Sequence, residues 1–300
     1  MQEPHTGKKT LKSRVLDFGL PPRKSLGQVF LIERAVQEKI LLLAEPRLDE
    51  TVVEIGPGTG ALTRALLPKV RRLIAVEIDP RLALYLRRSL ESQESLILVC
   101  MDALHFDYRR VYGRLGGPIK IVGNLPYSVS SPLLFSFLDQ RDVLSLLVLM
   151  LQKEVALRLT AVPGTKPYGA LTVLTRACFE VCLEERVSRH CFYPEPKVDS
   201  ALVRLRPRRQ GSLPVPKAQE RFFRTLVKAA FAKRRKTLFN SLRLSLEPRL
   251  PDAAILDAFR KCGLDPARRA ETLDLEAFAA LTAAFYEVAE IHGQAVRIRP

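Results

Sequence analysis

Glu-Ile-Gly-Pro-Gly-Thr-Gly, at residues 54–60, is the stretch of this sequence that decides the fold. It follows a short apolar run and precedes a helical pattern, so its glycines allow a tight turn at which a ligand can approach the backbone closely. The N-terminus of the following helix favours a negatively charged group on that ligand. We therefore expect Gly56, Gly58 and Gly60 to bind a cofactor. Because Ala61 follows, the stretch also fits the dinucleotide-binding pattern, and by itself it does not identify the cofactor.

Short apolar runs alternate with longer helical patterns from Thr51 to Arg206. Such alternation predicts an α/β fold with a doubly wound, parallel sheet. Two later apolar runs, at 178–187 and 198–205, could form an antiparallel pair at one edge of the sheet. The predicted parallel strands are 51–55, 72–76, 95–101, 119–122 and 143–150.

The two ends of the chain differ from this segment in composition and periodicity. The first residues are polar and basic, which predicts a flexible arm at 1–22. Residues 208–216 contain Gly, Ser and Pro and are typical of a linker, and apolar residues recur at helical spacing after them. We therefore expect a catalytic domain at 23–207, a linker at 208–216, a small all-helical domain at 217–290 and a tail at 291–300.

The charge of the chain favours nucleic acid as a partner. The net charge is +16, and between Arg204 and Arg243 thirteen Lys or Arg residues stand against one acid, Glu220. Solubility does not need one-signed charge at this density, whereas neutralised phosphates release counterions and give affinity without regard to base sequence. A membrane surface is the alternative, although no amphipathic anchor accompanies the basic segment. We expect the helical domain to bind RNA or DNA.

The same sequence disfavours several classes of protein. No apolar stretch approaches the roughly 20 residues that span a bilayer, and no signal peptide is recognisable. The five cysteines form no C-x-x-C pair and the four histidines are scattered, so neither a disulfide framework nor a zinc site is expected. We therefore expect a cytoplasmic protein with no membrane partner and no metal.

Polar side chains follow the next three predicted strands. Glu77 ends the second strand, where an acid can bind the ribose hydroxyls of either NAD or S-adenosylmethionine. Asp102 lies just past the third strand and could accept a hydrogen bond from an adenine amine. Asn124 follows the fourth strand. Because parallel strands bring their carboxyl ends to one edge of a sheet, we expect these three side chains to lie close together.

Residues 124–127, Asn-Leu-Pro-Tyr, could recognise an amine on a nucleobase. The Asn124 side-chain oxygen and the Leu125 carbonyl can each accept one N–H, Pro126 fixes the backbone after them, and Tyr127 can stack on the base. The alternative is an ordinary strand-ending turn, since Asn and Pro are common in turns.

The whole succession of glycine loop, Glu77, Asp102 and Asn-Leu-Pro-Tyr resembles class I S-adenosylmethionine-dependent methyltransferases. Longer motifs make the resemblance more specific, and from about Lys24 to about Leu281 the chain resembles the ribosomal RNA adenine dimethyltransferases. These motifs are Lys-Ser-Leu-Gly-Gln-Val-Phe-Leu at 24–31, Gln-Lys-Glu-Val-Ala at 152–156, Phe-Tyr-Pro-Glu-Pro-Lys-Val-Asp-Ser-Ala at 192–201 and Arg-Arg-Lys-Thr-Leu at 234–238.

This resemblance implies a Rossmann-like catalytic domain, a small helical domain and S-adenosylmethionine as the cofactor. It implies dimethylation of two adjacent adenosines in the 3′-terminal hairpin loop of small-subunit rRNA, with a role in ribosome biogenesis. The partner would be small-subunit rRNA or a pre-30S particle, and we expect a monomer. By resemblance, Val29 and Leu31 would line the cofactor site and Phe192 would cover the second face of the base. The RNA-binding residues would be Lys24, Lys197, Arg234, Arg235 and Lys236.

The chain departs from the family pattern at two positions. Val29 stands where the family usually has Asn, and Phe239 stands where Arg is common after Lys-Thr-Leu. Two other functions stay open: a large-subunit rRNA adenine methyltransferase of the macrolide-resistance type, and a non-catalytic rRNA-binding assembly factor. The intact run at 230–238 and Leu125 favour the small-subunit enzyme, and the retained Asn124 and Tyr127 argue against a factor without catalysis.

Overall fold

The computed structural model describes residues 20–208, 215–247, 250–291 and 297–298. The chain forms two compact units. The first unit comprises the residues up to Ala156 together with Cys182–Arg206, and the second comprises Leu157–Val181 and the residues from Pro207 onward. This division differs from the sequence-based boundary at 207, because residues 157–181 group with the C-terminal helices. Most of the predicted arm (1–22), linker (208–216) and tail (291–300) lies outside the described residues.

A seven-stranded sheet organises the first unit. Its strands are β2 (Thr51–Ile55), β3 (Arg72–Glu77), β4 (Leu96–Cys100), β5 (Ile119–Asn124), β6 (Leu144–Gln152), β7 (Phe179–Val187) and β9 (Ser200–Pro207). The order is β4-β3-β2-β5-β6-β9-β7, with β2 to β6 parallel and β9 antiparallel to β6. Outside this sheet, β1 (Phe30–Leu31) pairs with β8 (Phe192–Tyr193). The predicted doubly wound α/β fold is confirmed.

The central strands are buried along their whole length, which explains why the sequence predicts them so well. All residues of β2 are buried, and in β5 only the final residue, Asn124, is partly exposed. The sequence of a strand buried on both faces is a continuous apolar run, without alternation of polar and apolar residues. Asn124 therefore belongs to the end of the strand itself, two residues beyond the predicted end.

The helices of the first unit begin soon after the strands and carry side-chain caps. Asp79 accepts a hydrogen bond from Arg81 N at 3.0 Å, with Pro80 as the first helical residue, and Asp107 accepts from Arg110 N at 3.0 Å. Both arrangements satisfy backbone donors that a helix start leaves without partners. The helices are α1 (Arg34–Ala44), α2 (Ala61–Leu66), α3 (Pro80–Ser89), α4 (Tyr108–Leu115) and α5 (Ser130–Asp139), and α6 (Lys153–Leu159) follows β6.

The second unit is built mainly of helices. They are α7 (Ala170–Cys178), α8 (Glu220–Phe231), α9 (Leu238–Ser245), α10 (Asp252–Cys262) and α11 (Leu275–Ile291), and β10 (Leu246–Glu247) pairs with β11 (Arg297–Ile298). The rings of Phe259 and Phe285 meet edge-on at 5.8 Å. The Tyr168 hydroxyl donates to Leu273 O at 2.8 Å, which ties the segment 157–181 to this unit. Within the described ranges, no helix is long and apolar enough to cross a membrane.

Candidate active site

The carboxyl ends of β2, β3 and β5 border one cavity of about 270 Å³ in the first unit. This edge of a parallel sheet is where α/β proteins bind their ligands. Leu31, Gly60 and Phe192, which the sequence assigned to the site, do not line the cavity. The predicted residues that do line it are Val29, Gly56, Gly58, Glu77, Asp102, Asn124, Leu125, Pro126 and Tyr127.

Gly58 and Gly60, in the loop after β2, serve different purposes. Gly58 has φ +58°, and a Cβ there would lie 2.8 Å from Cδ1 of Phe30, whose ring also lines the cavity. Only glycine therefore allows this close approach without strain. Gly60 has φ +80°, and a Cβ there would lie 2.5 Å from Cδ2 of Leu86 on α3. Gly60 thus allows close packing between helices and does not reach the cavity.

Glu77 holds the glycine loop against the end of β3. Its Oε2 accepts from Gly58 N at 3.1 Å and its Oε1 from Asp79 N at 2.9 Å. Burial raises the pKa of this carboxyl, and the two backbone hydrogen bonds oppose that shift. A carboxylate oxygen can accept more than one hydrogen bond, so Glu77 can also accept from a ligand hydroxyl. The neighbouring Ile78 lines the same cavity and offers an apolar face, which the sequence analysis missed.

Asp102 also lines the cavity, just after β4, the strand next to β3. Its Oδ1 accepts from Leu104 N at 2.9 Å and caps a short 3-10 turn. This bond fixes the carboxylate at the cavity wall and leaves Oδ2 to accept from a ligand amine.

Asn124 is oriented by the backbone of a distant segment. Its Nδ2 donates to Val29 O at 2.7 Å. Because the amide nitrogen is engaged, the side-chain oxygen is the atom that can accept from a ligand in the cavity. The contact uses the carbonyl of Val29, so it does not depend on which side chain this position carries. The valine side chain instead packs against the core of the first unit.

The rest of the Asn-Leu-Pro-Tyr loop is anchored on both sides. Leu125 N donates to Met150 O at 3.1 Å, and the Leu125 side chain is buried. Pro126 O accepts from Val129 N at 3.1 Å and from the Ser130 hydroxyl at 3.0 Å. The loop is therefore a fixed structure and not an open turn.

Tyr127 is half-buried and lies in the cavity wall. Its hydroxyl is 2.8 Å from the hydroxyl of Ser200, at the start of β9. Burial is the main cause that raises the pKa of the phenol. Tyr127 can therefore present an aromatic face to a ligand while its polar end is satisfied inside the protein.

Phe192 and Leu31 face the core of the first unit and not the cavity. The two residues are opposite each other in the pairing of β8 with β1, and Phe192 is only 3% exposed. Successive side chains of a strand point to opposite sides. Phe30 and Tyr193, which also pair with each other, pack together on the other side, where Phe30 lines the cavity. In this structure the second stacking face predicted for Phe192 is absent, because its ring belongs to the core.

A buried carboxylate next to the site carries contacts that the sequence analysis missed. The Asp79 side chain is fully buried, accepts from Gln28 Nε2 at 2.9 Å and is paired with Arg81 at 2.7 Å. The hydrogen bond from Arg81 is the main cause that lowers its pKa to about 2. Because Gln28 lines the cavity, Asp79 fixes the segment that forms one cavity wall. The motif at 24–31 includes Gln28, but nothing in the sequence indicated that Asp79 is its partner.

The basic residues predicted to bind RNA lie in both units. Lys24 and Lys197 are exposed in the first unit, and Arg234, Arg235 and Lys236 are exposed in the second. Arg234 differs from its neighbours because it donates to Lys166 O and pairs with Glu271 at 3.5 Å. Its guanidinium therefore already has partners within the second unit. Among the residues that the structure describes, no group of three or more His, Cys, Asp or Glu could hold a metal ion.

Comparison with known proteins agrees with this geometry. The family model for ribosomal RNA adenine dimethylase matches residues 20–283. The chain belongs to this family. It is 46% identical over 265 residues to the ribosomal RNA small subunit methyltransferase A of Geobacter sulfurreducens, covering 88% of this chain and 95% of that protein. The corresponding protein of Geobacter metallireducens is 45% identical over 267 residues, covering 89% and 96%.

Two solved structures have a similar fold over most of the chain. A dimethyladenosine transferase from Plasmodium falciparum has a TM-score of 0.71 at 26% identity and covers 86% of this chain and 97% of its own. The 23S rRNA methyltransferase ErmE has a TM-score of 0.63 at 29% identity and covers 86% and 99%. The predicted fold class, enzyme class and cofactor are confirmed: this is an rRNA adenine dimethyltransferase that uses S-adenosylmethionine.

The residues around the cavity fit this cofactor. Glu77 and Asp102 offer acceptors for hydroxyl and amine groups, and Ile78 and Phe30 offer apolar surface for a purine ring. Glu54, in β2, is buried and does not line the cavity, and burial is the main cause that raises its pKa to about 7, with the nearby Glu77 acting in the same direction. The acids that do line the cavity, Glu77 and Asp102, suit a ligand that carries a positive sulfonium.

Proposed function

We propose that this enzyme dimethylates the exocyclic amines of two adjacent adenosines in the 3′-terminal hairpin loop of small-subunit rRNA. It acts as a monomer in the cytoplasm, on rRNA or on a pre-30S particle, as part of small-subunit biogenesis. The observation that carries the proposal is the fixed amide of Asn124 at a cavity that also contains Tyr127. Recognition of an adenine amine needs these two groups, an acceptor and an aromatic face.

The glycine loop and the two acids at the strand ends would hold the cofactor. Glu77 would accept from the ribose hydroxyls, Asp102 would accept from the adenine amine of the cofactor, and Ile78 would offer an apolar surface to its ring. Gly56 and Gly58 would leave room for the methionine part next to the backbone. When bound, the cofactor supplies a methyl group on a positively charged sulfur.

The protein makes the target amine a better nucleophile by accepting hydrogen bonds from its two N–H groups. The lone pair of an adenine amine is delocalised into the ring, so the free amine is a poor nucleophile. The Asn124 side-chain oxygen and the Leu125 carbonyl each accept one N–H, which favours the pyramidal nitrogen with its lone pair directed at the methyl group. Fixed acceptors of this kind lower the barrier because they need no reorganisation during the reaction.

Tyr127 receives the base after it has left its stack in the RNA. Leaving the stack costs least in a loop, where pairing is already absent. Stacking on an aromatic ring returns part of that cost, about 1–3 kcal/mol per base. Phe192 could supply a second ring only if it left the core of the first unit, so we assign the stacking role to Tyr127.

The second methylation takes place with fewer hydrogen bonds. After one transfer a single N–H remains, so only one of the two acceptors, Asn124 or Leu125, can still be engaged. The singly methylated amine must also fit in the same space. We therefore expect the second transfer to be slower than the first under single-turnover conditions.

Phosphate contacts hold the rRNA and are separate from base recognition. Lys24 and Lys197 serve this purpose in the first unit, and Arg235 and Lys236 in the second. Arg234 is the weakest member of the predicted set, because its side chain is already engaged by Glu271 and Lys166 O.

Small-subunit rRNA is favoured over large-subunit rRNA by the relatives. The two Geobacter proteins, similar over almost their full length, carry the small-subunit name, whereas ErmE is less similar in sequence. A transfer assay with labelled S-adenosylmethionine decides the matter, using small- and large-subunit particles from a strain that lacks the methylation. The proposal predicts label in the small-subunit particles alone. Label in large-subunit particles would support the macrolide-resistance type, and no label in either would support an assembly factor without catalysis.

A further inference from the structure

Ser200 is a buried polar residue to which neither the sequence motif nor the proposed chemistry gives a task. It begins β9, its side chain is 0% exposed, and it stands opposite Gln152, the last residue of β6. β6 pairs in turn with β5, which ends at Asn124. The start of β9 therefore lies at the same edge of the sheet as the reactive loop.

The contact that Ser200 makes is with the hydroxyl of Tyr127, at 2.8 Å. Burial raises the pKa of this phenol, and the charges of Asp199 and Glu154 raise it further. The phenol is therefore protonated at neutral pH and can take part in the bond as donor or acceptor. The hydroxyl of a tyrosine lies on the axis about which the ring rotates, so holding this oxygen restricts the first side-chain torsion and thereby fixes where the ring lies in the cavity wall.

The element that carries Ser200 is itself held in place. Asp199 O accepts from Lys153 N at 3.0 Å, and Asp199 Oδ1 accepts from Arg189 N at 3.1 Å. A hydroxyl at the start of an anchored strand is a better support than one on a free loop. The motifs at 124–127, 152–156 and 192–201 thus meet at this point, although they are far apart in the sequence.

We propose that Ser200 is a positioning residue, whose hydroxyl holds the ring of Tyr127 in the position in which it receives the target base. The proposal rests on the proposed function, since it assumes that Tyr127 stacks on a base. The alternative is a purely structural contact, in which Tyr127 only satisfies a buried hydroxyl. The two differ in what happens to the base when the hydrogen bond is removed.

A double-mutant cycle with Ser200→Ala and Tyr127→Phe separates these possibilities. Each substitution removes one hydroxyl of the pair, and Tyr127→Phe keeps the ring. Ser241→Ala is the control, because Ser241 is also fully buried and its hydroxyl is hydrogen-bonded away from the cavity, donating to Ala229 O at 2.9 Å and accepting from Lys233 N at 3.3 Å in the second unit. Single-turnover methyl transfer, S-adenosylmethionine affinity and thermal unfolding are measured for all variants.

The base itself is observed with an RNA hairpin that carries 2-aminopurine at the target position of its loop, bound to enzyme saturated with S-adenosylhomocysteine. This probe lacks the amine at C6, so it reports on the Tyr127 ring and not on Asn124. Stacking on Tyr127 quenches the fluorescence of this probe. A variant that only loses stability gives the wild-type quenching at saturating RNA, whereas a misplaced ring gives less. The quenching does not require methyl transfer, so it reports on the ring independently of the transfer rate.

We expect each single variant to lower the transfer rate by about three- to tenfold, the effect of one neutral hydrogen bond. The double variant should be no slower than either single variant, quenching should weaken, and cofactor affinity should not change.

Wild-type transfer and quenching in Ser200→Ala would overturn the proposal, as would effects that multiply in the double variant. If Ser200→Ala does not fold, Tyr127→Phe alone decides by the same two measurements. Failure of wild type to methylate any rRNA would refute the proposed function instead.

Discussion

At the scale of single residues, the site depends on two side chains whose polar ends are held from outside the loop that carries them. Asn124 is held by Val29 O at 2.7 Å and Tyr127 by Ser200 at 2.8 Å. The first contact does not depend on whether position 29 carries Val or the Asn usual in the family. A carbonyl does the orienting, and every residue type supplies a carbonyl.

Glu77 is expected to decide cofactor affinity without taking part in the transfer step. Glu77→Ala removes a charged acceptor from the ribose and leaves Gly58 N and Asp79 N without their partner. S-adenosylmethionine binding should weaken by about 1.5–3 kcal/mol, the range for hydrogen bonds to a charged group. Calorimetry measures this, with Glu38→Ala as the control that removes an exposed charge. Equal affinity in Glu77→Ala and wild type would mean that the ribose lies elsewhere.

At the scale of elements, the segment 25–30 forms one wall of the cavity and is held at the start of α3. The side chain that holds it is Asp79, which caps α3, accepts a hydrogen bond from Gln28 and pairs with Arg81. The sequence places Gln28 in a recognisable motif, and the structure shows Asp79 at the start of α3. That the two meet follows only from the fold, since they are separated by 51 positions.

Asp79→Asn should therefore destabilise the enzyme in a pH-dependent way. The folded pKa of Asp79, about 2, is below its ordinary value of 3.8, so its ionised form stabilises the fold. That stabilisation is fully present above the ordinary value and is lost as the pH falls toward 2. The stability difference between wild type and Asp79→Asn should be constant near neutral pH and shrink below about pH 4. Thermal unfolding across this range checks it, with the exposed Asp49→Asn as control. A difference that stays constant down to pH 2 would contradict the role given to the charge.

At the scale of the whole molecule, the sequence predicts the sheet and most of the cavity, because both follow from local patterns. Buried strands are continuous apolar runs, and their ends carry Glu77, Asp102 and Asn124. The sequence could not predict on which side of a strand pair a given side chain lies. Phe192 and Tyr193 are neighbours, and only the pairing of β1 with β8 decides that Phe192 enters the core. Likewise, residues 157–181 are joined to the second unit by the hydrogen bond between Tyr168 and Leu273, which are 105 positions apart in the sequence.

The basic segment gives a prediction for the whole enzyme in its complex with RNA. Arg235→Ala with Lys236→Ala should weaken RNA binding and reduce the slope of log affinity against log salt by about 1.4–1.8, for two lost phosphate contacts. Arg260→Ala with Lys261→Ala is the control, because both cations already pair with Asp257 and Glu287 in the same unit. A salt titration of RNA binding measures both slopes. Equal slopes in the two double variants would mean that Arg235 and Lys236 do not contact phosphates.

The account as a whole rests on Asn124 as the acceptor of the adenine amine, and nucleoside mass spectrometry tests this most directly. Unmethylated small-subunit particles are incubated with S-adenosylmethionine and either wild type or Asn124→Ala, and their rRNA is digested. Wild type should yield dimethyladenosine from two adjacent positions. Asn124→Ala should bind the cofactor with nearly unchanged affinity and form product at least about 100-fold more slowly, as expected for the loss of one transition-state contact. Dimethyladenosine formed by Asn124→Ala at the wild-type rate would contradict the account.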